Sequence, residues 1–301
     1  MHDHVFPLGM KRDLRAYIWG GVAAVSLLTF TGCTTTETGR KQFNIVSKDQ
    51  EAEMGLAAFQ EIKKETPIST DARAKSMVER VGAQIAEQAR DRMPNAQWEF
   101  VVFDSKEANA FALPGGKVGV YKGLLPITQN EAGLATVIAH EIAHVTQHHG
   151  AERMSIATGV QGVSQAAGAA GGEKYGQVAA VALGGLGKVG VELPFSRKQE
   201  SEADRVGLMY MARAGFDPEE AIRFWERFAA SHGNESQGVS LLRTHPLDAQ
   251  RIADLKTWLP EAKAEYQRAK GRGGSTAAPN RSGVPSATGA PGGSGGQVIS
   301  K

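Results

Sequence analysis

His140, Glu141 and His144 stand in the pattern H-E-x-x-H within Thr136–Gly150, TVIAHEIAHVTQHHG, and chemistry can start here. The stretch has the pattern of one amphipathic helix. Residues four apart on a helix lie one turn above each other on the same face. Two imidazoles at that spacing can grip one metal ion. Glu141 projects toward the same side and can act as general base on a water held there, the arrangement of a zinc hydrolase. Such a centre wants three protein ligands and one open position. A second helix, Ser196–Gly215, offers Glu200 and, four residues on, Asp204. Glu200 can reach the metal. Asp204, on the same face, can accept a hydrogen bond from a ligand imidazole's other nitrogen and so fix its tautomer. Glu202 between them points elsewhere by helical geometry and has the character of a solvated or salt-bridged surface residue. One Zn2+ per chain is expected.

Composition narrows the alternatives. Cys33 is the only cysteine, so an intramolecular disulfide and thiolate zinc fingers are excluded and the chemistry rests on His, Glu and Asp. The net charge of +2 and the lack of a basic, aromatic groove give no sign of a nucleic-acid partner. Gly115-Gly116-Lys117 lacks the spacing and the Ser/Thr of a phosphate loop and is expected to be a hairpin turn. At 301 residues the chain is long enough for one sizeable core with ornaments.

The elements that must position these residues can be taken in order. Lys11, Arg12 and Arg15 precede an uncharged run, Ala16–Phe30, too short for a comfortable membrane span and suited to a signal-peptide core. Met10 is an alternative start. The run ends in Phe30-Thr31-Gly32-Cys33, which resembles a bacterial lipobox, although Phe30 departs from the usual aliphatic residue. Lipid on Cys33 would tether the chain without threading it through the bilayer; the alternative is a plain signal anchor with an incidental cysteine. Thr34 follows, and by resemblance to lipoprotein sorting the absence of Asp there points to the outer membrane.

The expected organisation is a signal peptide over 1–32, a polar tether over 33–46, a catalytic domain over 47–269 and a disordered Gly/Ser/Pro-rich tail over 270–301. Helices are predicted over Ser47–Glu65 and Asp71–Arg92, with Ser47 and Asp71 as caps. Trp98–Phe103 is a buried strand, followed by a short strand, a turn at Pro114-Gly115-Gly116, and the alternating strand Lys117–Tyr121. The nearly uncharged Ala157–Val191 is either a helical hairpin over the core or a mobile lid. Further helices are predicted over Pro218–Ser231, Leu247–Trp258 and Glu261–Ala269. The fold class is α+β, mainly α, with a small sheet beside the H-E-x-x-H helix.

HEIAHVTQHH followed by SRKQESEADRVG resembles the HtpX-like and CAAX-prenyl-endopeptidase-like zinc metallopeptidases, and within them the bacterial periplasmic lipoprotein branch. NAFALPGGKVGVYKGLL and Thr244-His245-Pro246 match as well, so the similarity spans about residues 45–260. The resemblance implies a zincin-like fold with His140, His144 and Glu200 as zinc ligands, Glu141 as base and Asp204 behind a ligand. It also singles out His245, which either stabilises the oxyanion or blocks the open position as a latency switch. His148 and His149 are expected to form a polar helix terminus, and His232 to lie in a loop. Two departures stand out: no helical-repeat domain follows the catalytic region, and no membrane spans flank it.

The implied function is a lipid-anchored endopeptidase at the periplasmic face of the outer membrane, acting on unfolded or misassembled envelope proteins. Lys117–Tyr121 is a candidate edge strand against which such a substrate lies extended. Rival readings are a non-catalytic scaffold or chaperone for outer-membrane assembly, which has no need of Glu141, and a zinc hydrolase acting on cell-wall crosslinks.

Overall fold

The computed structural model describes residues 33–171, 195–230, 240–246 and 249–274. The expected signal peptide, most of the expected tail, residues 172–191 of the Ala/Gly-rich stretch and His232 lie outside them.

The site rests on one buried helix. Asn130 accepts from the Gly133 N–H (2.8 Å) and starts α4, Glu131–Thr146, the fourth α-helix among the described residues. Every residue from Gly133 to Thr146 is buried, so α4 is a central helix and not the amphipathic one its spacing suggested. It starts and stops earlier than expected. After the C-cap Gln147, His148 takes a positive φ of 55° and breaks the run; a new helix, α5 (His149–Gly171), begins at once.

Around α4 lie the elements that cover it. α1 (Lys48–Glu65) opens with a capping box between Ser47 and Gln50. α2 (Ala72–Gln88) is capped by Asp71 and turns Ala74, Val78, Val81 and Ile85 into the core. A short helix, α3 (Leu125–Thr128), leads into α4. α6 (Arg197–Arg213) starts with a capping box of Ser196 and Gln199. α7 (Glu219–Ala230), α8 (Ser240–Thr244) and α9 (Ala249–Gly274) complete the helical layers. α9 was expected as two helices ending near residue 269; instead it runs through Pro260. Proline normally breaks a helix interior. Leu255 and Ala262 on either side of it are buried, and α9 packs against both α6 and α7, so tertiary contacts hold the helix through the proline.

The three-stranded sheet has β3 (Glu99–Phe103), β4 (Ala110–Leu113) and β5 (Lys117–Tyr121) in the order β3-β5-β4; β1 (Cys33–Thr35) and β2 (Lys41–Phe43) form a separate hairpin. β4 and β5 join through Pro114-Gly115-Gly116, where φ values of +85° and +87° require glycine. β5 is therefore the central strand, parallel to β3 and antiparallel to β4. The expectation that Lys117–Tyr121 forms the edge is corrected: β3 and β4 are the edges, and β4 packs beside α4.

The expected tether is also corrected. β1 (Cys33–Thr35) and β2 (Lys41–Phe43) pair antiparallel, and Thr36 and Gln42 are buried. Side-chain bonds to Gln147, Glu152 and Glu202 hold this hairpin on the domain. Polar composition alone gave it the look of a linker; the partners that order it lie more than 100 residues away.

A candidate metal centre

α4 projects His140 and His144 inward with their Nε2 atoms 3.1 Å apart. Glu200, in the first turn of α6, places Oε2 3.4 Å from His140 Nε2 and Oε1 3.3 Å from His144 Nε2. His245, just past α8, brings Nδ1 to 3.2 Å from His140 Nε2 and 2.9 Å from Glu200 Oε1. All four residues are buried, and their donor atoms converge as a group able to hold a metal ion. A tetrahedral zinc with ligands at about 2.0–2.1 Å separates neighbouring donors by roughly 3.3–3.4 Å. The observed spacing and the three-nitrogen, one-carboxylate set both fit that ion.

Behind the donors stand groups that orient them. Asp204 Oδ1 lies 3.0 Å from His140 Nδ1. Arg251 grips Asp204 in bidentate fashion, with Nε to Oδ2 and Nη2 to Oδ1 both 2.7 Å, and its Nη1 reaches Glu200 Oε2 at 2.8 Å. The guanidinium also lies 4.5 Å over the Trp225 ring. Burial raises the pKa of both carboxyls, yet Arg251 and His140 hold Asp204 below its usual range, and His245, His140 and His144 hold Glu200 well below. Burial likewise lowers His140, but Asp204 and Glu200 outweigh it and lift its pKa to about 9. His144 lacks a direct carboxylate on its outer nitrogen, and burial drives its pKa well down.

Glu141 sits beside the donors and is buried. Burial raises its pKa, against the opposing pull of His245 and His140, and the Ala112 N–H of β4 donates to its carboxylate. His245 Nε2 is 3.3 Å from Glu141 Oε1, so this imidazole spans base and donor cluster. A carboxylate with a raised pKa beside a group of donors able to hold a metal ion is suited to general-base work.

The structure thus brings together His140, Glu141, His144, Glu200, Asp204 and His245. Cys33 stands apart, exposed at the start of β1. Two expectations are overturned. Glu202 is no surface residue: it is 5% exposed and accepts bonds from Thr36, Thr38 and Arg40, the last at 2.7 Å. Despite burial, His149 and those donors hold its carboxyl at about 2. His149 is no polar helix end: it is fully buried, with Nδ1 2.9 Å from His144 Nδ1 and Nε2 3.0 Å from Glu202 Oε2. His148 alone keeps the expected character, bonding Glu51 at 2.8 Å.

Arg251 and Phe195 went unforeseen. Phe195 stacks on His144 with centroids 3.9 Å apart. Nothing local marks either residue. Arg251 had one indirect signal: a buried site built from Glu141, Glu200 and Asp204 needs a cation besides the metal.

The model of peptidase family M48 matches residues 72–259. The mitochondrial metalloendopeptidase OMA1 of Schizosaccharomyces pombe is 38% identical over 233 residues, 76% of this chain and 67% of its own length. OMA1 of Saccharomyces cerevisiae is 36% identical over 191 residues, 57% of this chain and 50% of its own. The β-barrel assembly-enhancing protease of Escherichia coli K12 is 29% identical over 229 residues, 74% of this chain and 46% of its own. The chain therefore spans between about half and two thirds of the length of these relatives. Their names are not specifically those of the HtpX-like or CAAX-prenyl types, so the resemblance holds at the level of the wider family.

Proposed function

The chain belongs to peptidase family M48, and on that premise we propose that it is a zinc-dependent endopeptidase of the bacterial envelope. The observation that carries this reading is the buried meeting of His140, His144 and Glu200 with Glu141 beside them. When bound there, zinc supplies Lewis-acid polarisation of a water and of the scissile carbonyl. Glu141 takes the proton of the attacking water and delivers it to the leaving amine. Asp204 and Arg251 keep His140 and Glu200 oriented while this happens.

The substrate lies extended along β4 and not along Lys117–Tyr121. Tyr121 N–H donates to Asn109 O, so bonding to β5 falls on alternate residues and the main-chain groups of Ala110 and Ala112 face away from it. Ala112 N–H meets Glu141, which brings that open edge to the base. Pairing through main-chain groups is largely blind to sequence and suits unfolded or misassembled envelope proteins. His245 is placed to act as a latch: Nδ1 fills the fourth donor position while Nε2 covers Glu141. Displacing Thr244-His245-Pro246 would free both.

The chain's place is the periplasmic face of the outer membrane, held by lipid on Cys33 after removal of residues 1–32. Support comes from the lipobox-like sequence and from relatives named as β-barrel assembly-enhancing proteases, although the OMA1 relatives are mitochondrial. Among the described residues no helix is long and apolar enough to cross a membrane. The test is zinc content and cleavage of an unfolded outer-membrane protein. Wild type should hold one zinc; Glu200→Ala should lose it. Glu141→Gln should keep it while cleaving ~10²–10⁴-fold more slowly. Folded wild type devoid of zinc after purification from zinc-replete medium would leave the scaffold reading standing instead.

A further inference from the structure

The two histidines of α4 are backed differently. His140 Nδ1 faces a carboxylate, Asp204, directly. His144 Nδ1 faces another imidazole, His149 Nδ1, at 2.9 Å, and His149 Nε2 faces Glu202 Oε2 at 3.0 Å. A bond between two Nδ1 atoms needs one donor and one acceptor. His144 Nε2 points at the other donor atoms, so its lone pair belongs there and its proton on Nδ1. His149 must then accept at Nδ1 and carry its own proton on Nε2, where Glu202 receives it. The whole chain has a single consistent proton arrangement, and it ends in a carboxylate just as the His140 chain does.

Glu202 is fixed from the other side. Thr36 and Thr38 donate to Oε1 and Arg40 Nε to Oε2, while Arg40 Nη1 and Nη2 hold Glu152 at 2.6 and 2.7 Å. Gln199, three residues before Glu202 on α6, bonds Glu152 at 2.8 Å. The break at His148 is what swings His149 behind His144, since an unbroken helix would carry residue 149 past that face.

We infer that His149 and Glu202 are positioning residues for the zinc ligand His144, and that the Thr36–Arg40 turn of the N-terminal hairpin anchors them. This rests on the zinc reading above and adds to it a second orienting chain, relayed through an imidazole. Residues that orient a ligand imidazole typically change metal affinity 10- to 100-fold when removed.

The test uses the whole chain as wild type, His149→Phe and Glu202→Gln. Phenylalanine keeps a ring beside Phe195 but offers no nitrogen. Glutamine keeps the shape of Glu202, yet either orientation of its amide points an NH2 at existing donors. Each protein is loaded with Zn2+ and titrated against a chelating competitor, then loaded with Co2+ to record the d–d absorption. Both variants should bind zinc roughly 10- to 100-fold more weakly and shift the cobalt bands as His144 tilts. Wild-type affinity with an unchanged cobalt spectrum, whatever happens to the melting temperature, would reduce the pair to ordinary packing and overturn the inference. If His149→Phe does not fold, Glu202→Gln decides alone. Wild type that binds no zinc would instead bring down the metal reading, and this inference with it.

Discussion

His245 touches both halves of the chemistry, with Nδ1 2.9 Å from Glu200 and Nε2 3.3 Å from Glu141. A histidine in that place can hold the site shut or can steady the charge that develops on the scissile oxygen. The two roles differ in sign. Removing a latch raises turnover, because more molecules present an open fourth position, whereas removing an oxyanion donor lowers it by about 10²–10³-fold. His245 is buried and completes the donor set as it stands, so the latch is the role its position favours. His245→Ala is expected to raise the initial rate of cleavage of an unfolded protein severalfold, with the zinc bound more weakly for loss of a donor. A rate drop of a hundredfold with zinc retained would reverse the assignment. At this scale much of the centre was legible: H-E-x-x-H and E-x-x-x-D are local patterns, and helical spacing alone puts each pair on one face. His149 and Glu202 were misjudged for the opposite reason. Glu202 was assigned to the surface by its helical angle, but that face of α6 is covered by the Thr36–Arg40 turn, 162 to 166 residues away in sequence.

Between elements, the contact that sets the donor geometry is α4 against α6. It is tight at Gly207, where a Cβ would stand 2.9 Å from His140 N and 3.0 Å from Ala139 C. Glycine there lets Asp204 and Glu200, one and two turns earlier on α6, come within reach of His140. Gly207→Ala sets two effects against each other. Alanine in a helix interior is favoured over glycine by about 1 kcal/mol, while forcing a methyl into a filled contact costs roughly 1–3 kcal/mol. The backbone of α4 cannot yield as a side-chain end would, so the steric cost wins. The variant should melt lower and bind zinc more weakly, because separating the helices lengthens the 3.4 Å approach of Glu200 to His140. A higher melting temperature with unchanged zinc affinity would show that the helices have room to spare. The sequence did not reveal this contact, since a lone glycine in a helix is ambiguous without its neighbour. The capped starts at Ser47 and Asp71 were readable, because a cap is a local exchange of hydrogen bonds. Continuity through Pro260 was not, because two other helices enforce it.

Across the whole molecule, the N-terminal hairpin is where a linker and a structural element predict different things. A tether can be altered freely if the catalytic domain keeps its fold. A clamp cannot: Arg40 joins Glu202 to Glu152, and removing it leaves two buried carboxylates short of their cation. Breaking such a pair on one side commonly costs about 3–5 kcal/mol, less here because Arg40 is itself partly exposed and Thr36, Thr38, His149 and Gln199 still donate. Arg40→Met should therefore lower the melting temperature by several degrees. It should also weaken zinc in the same direction as Glu202→Gln, though by less, since Glu202 keeps its charge. Lys48→Met, just beyond the hairpin and in the first turn of α1, changes the same net charge without touching Glu202 and should do neither. Equal behaviour of the two variants would return residues 33–46 to the role of a tether. A larger effect of Arg40→Met, in stability and in metal affinity together, would mean that the segment leading from Cys33 is part of what holds His144 in place.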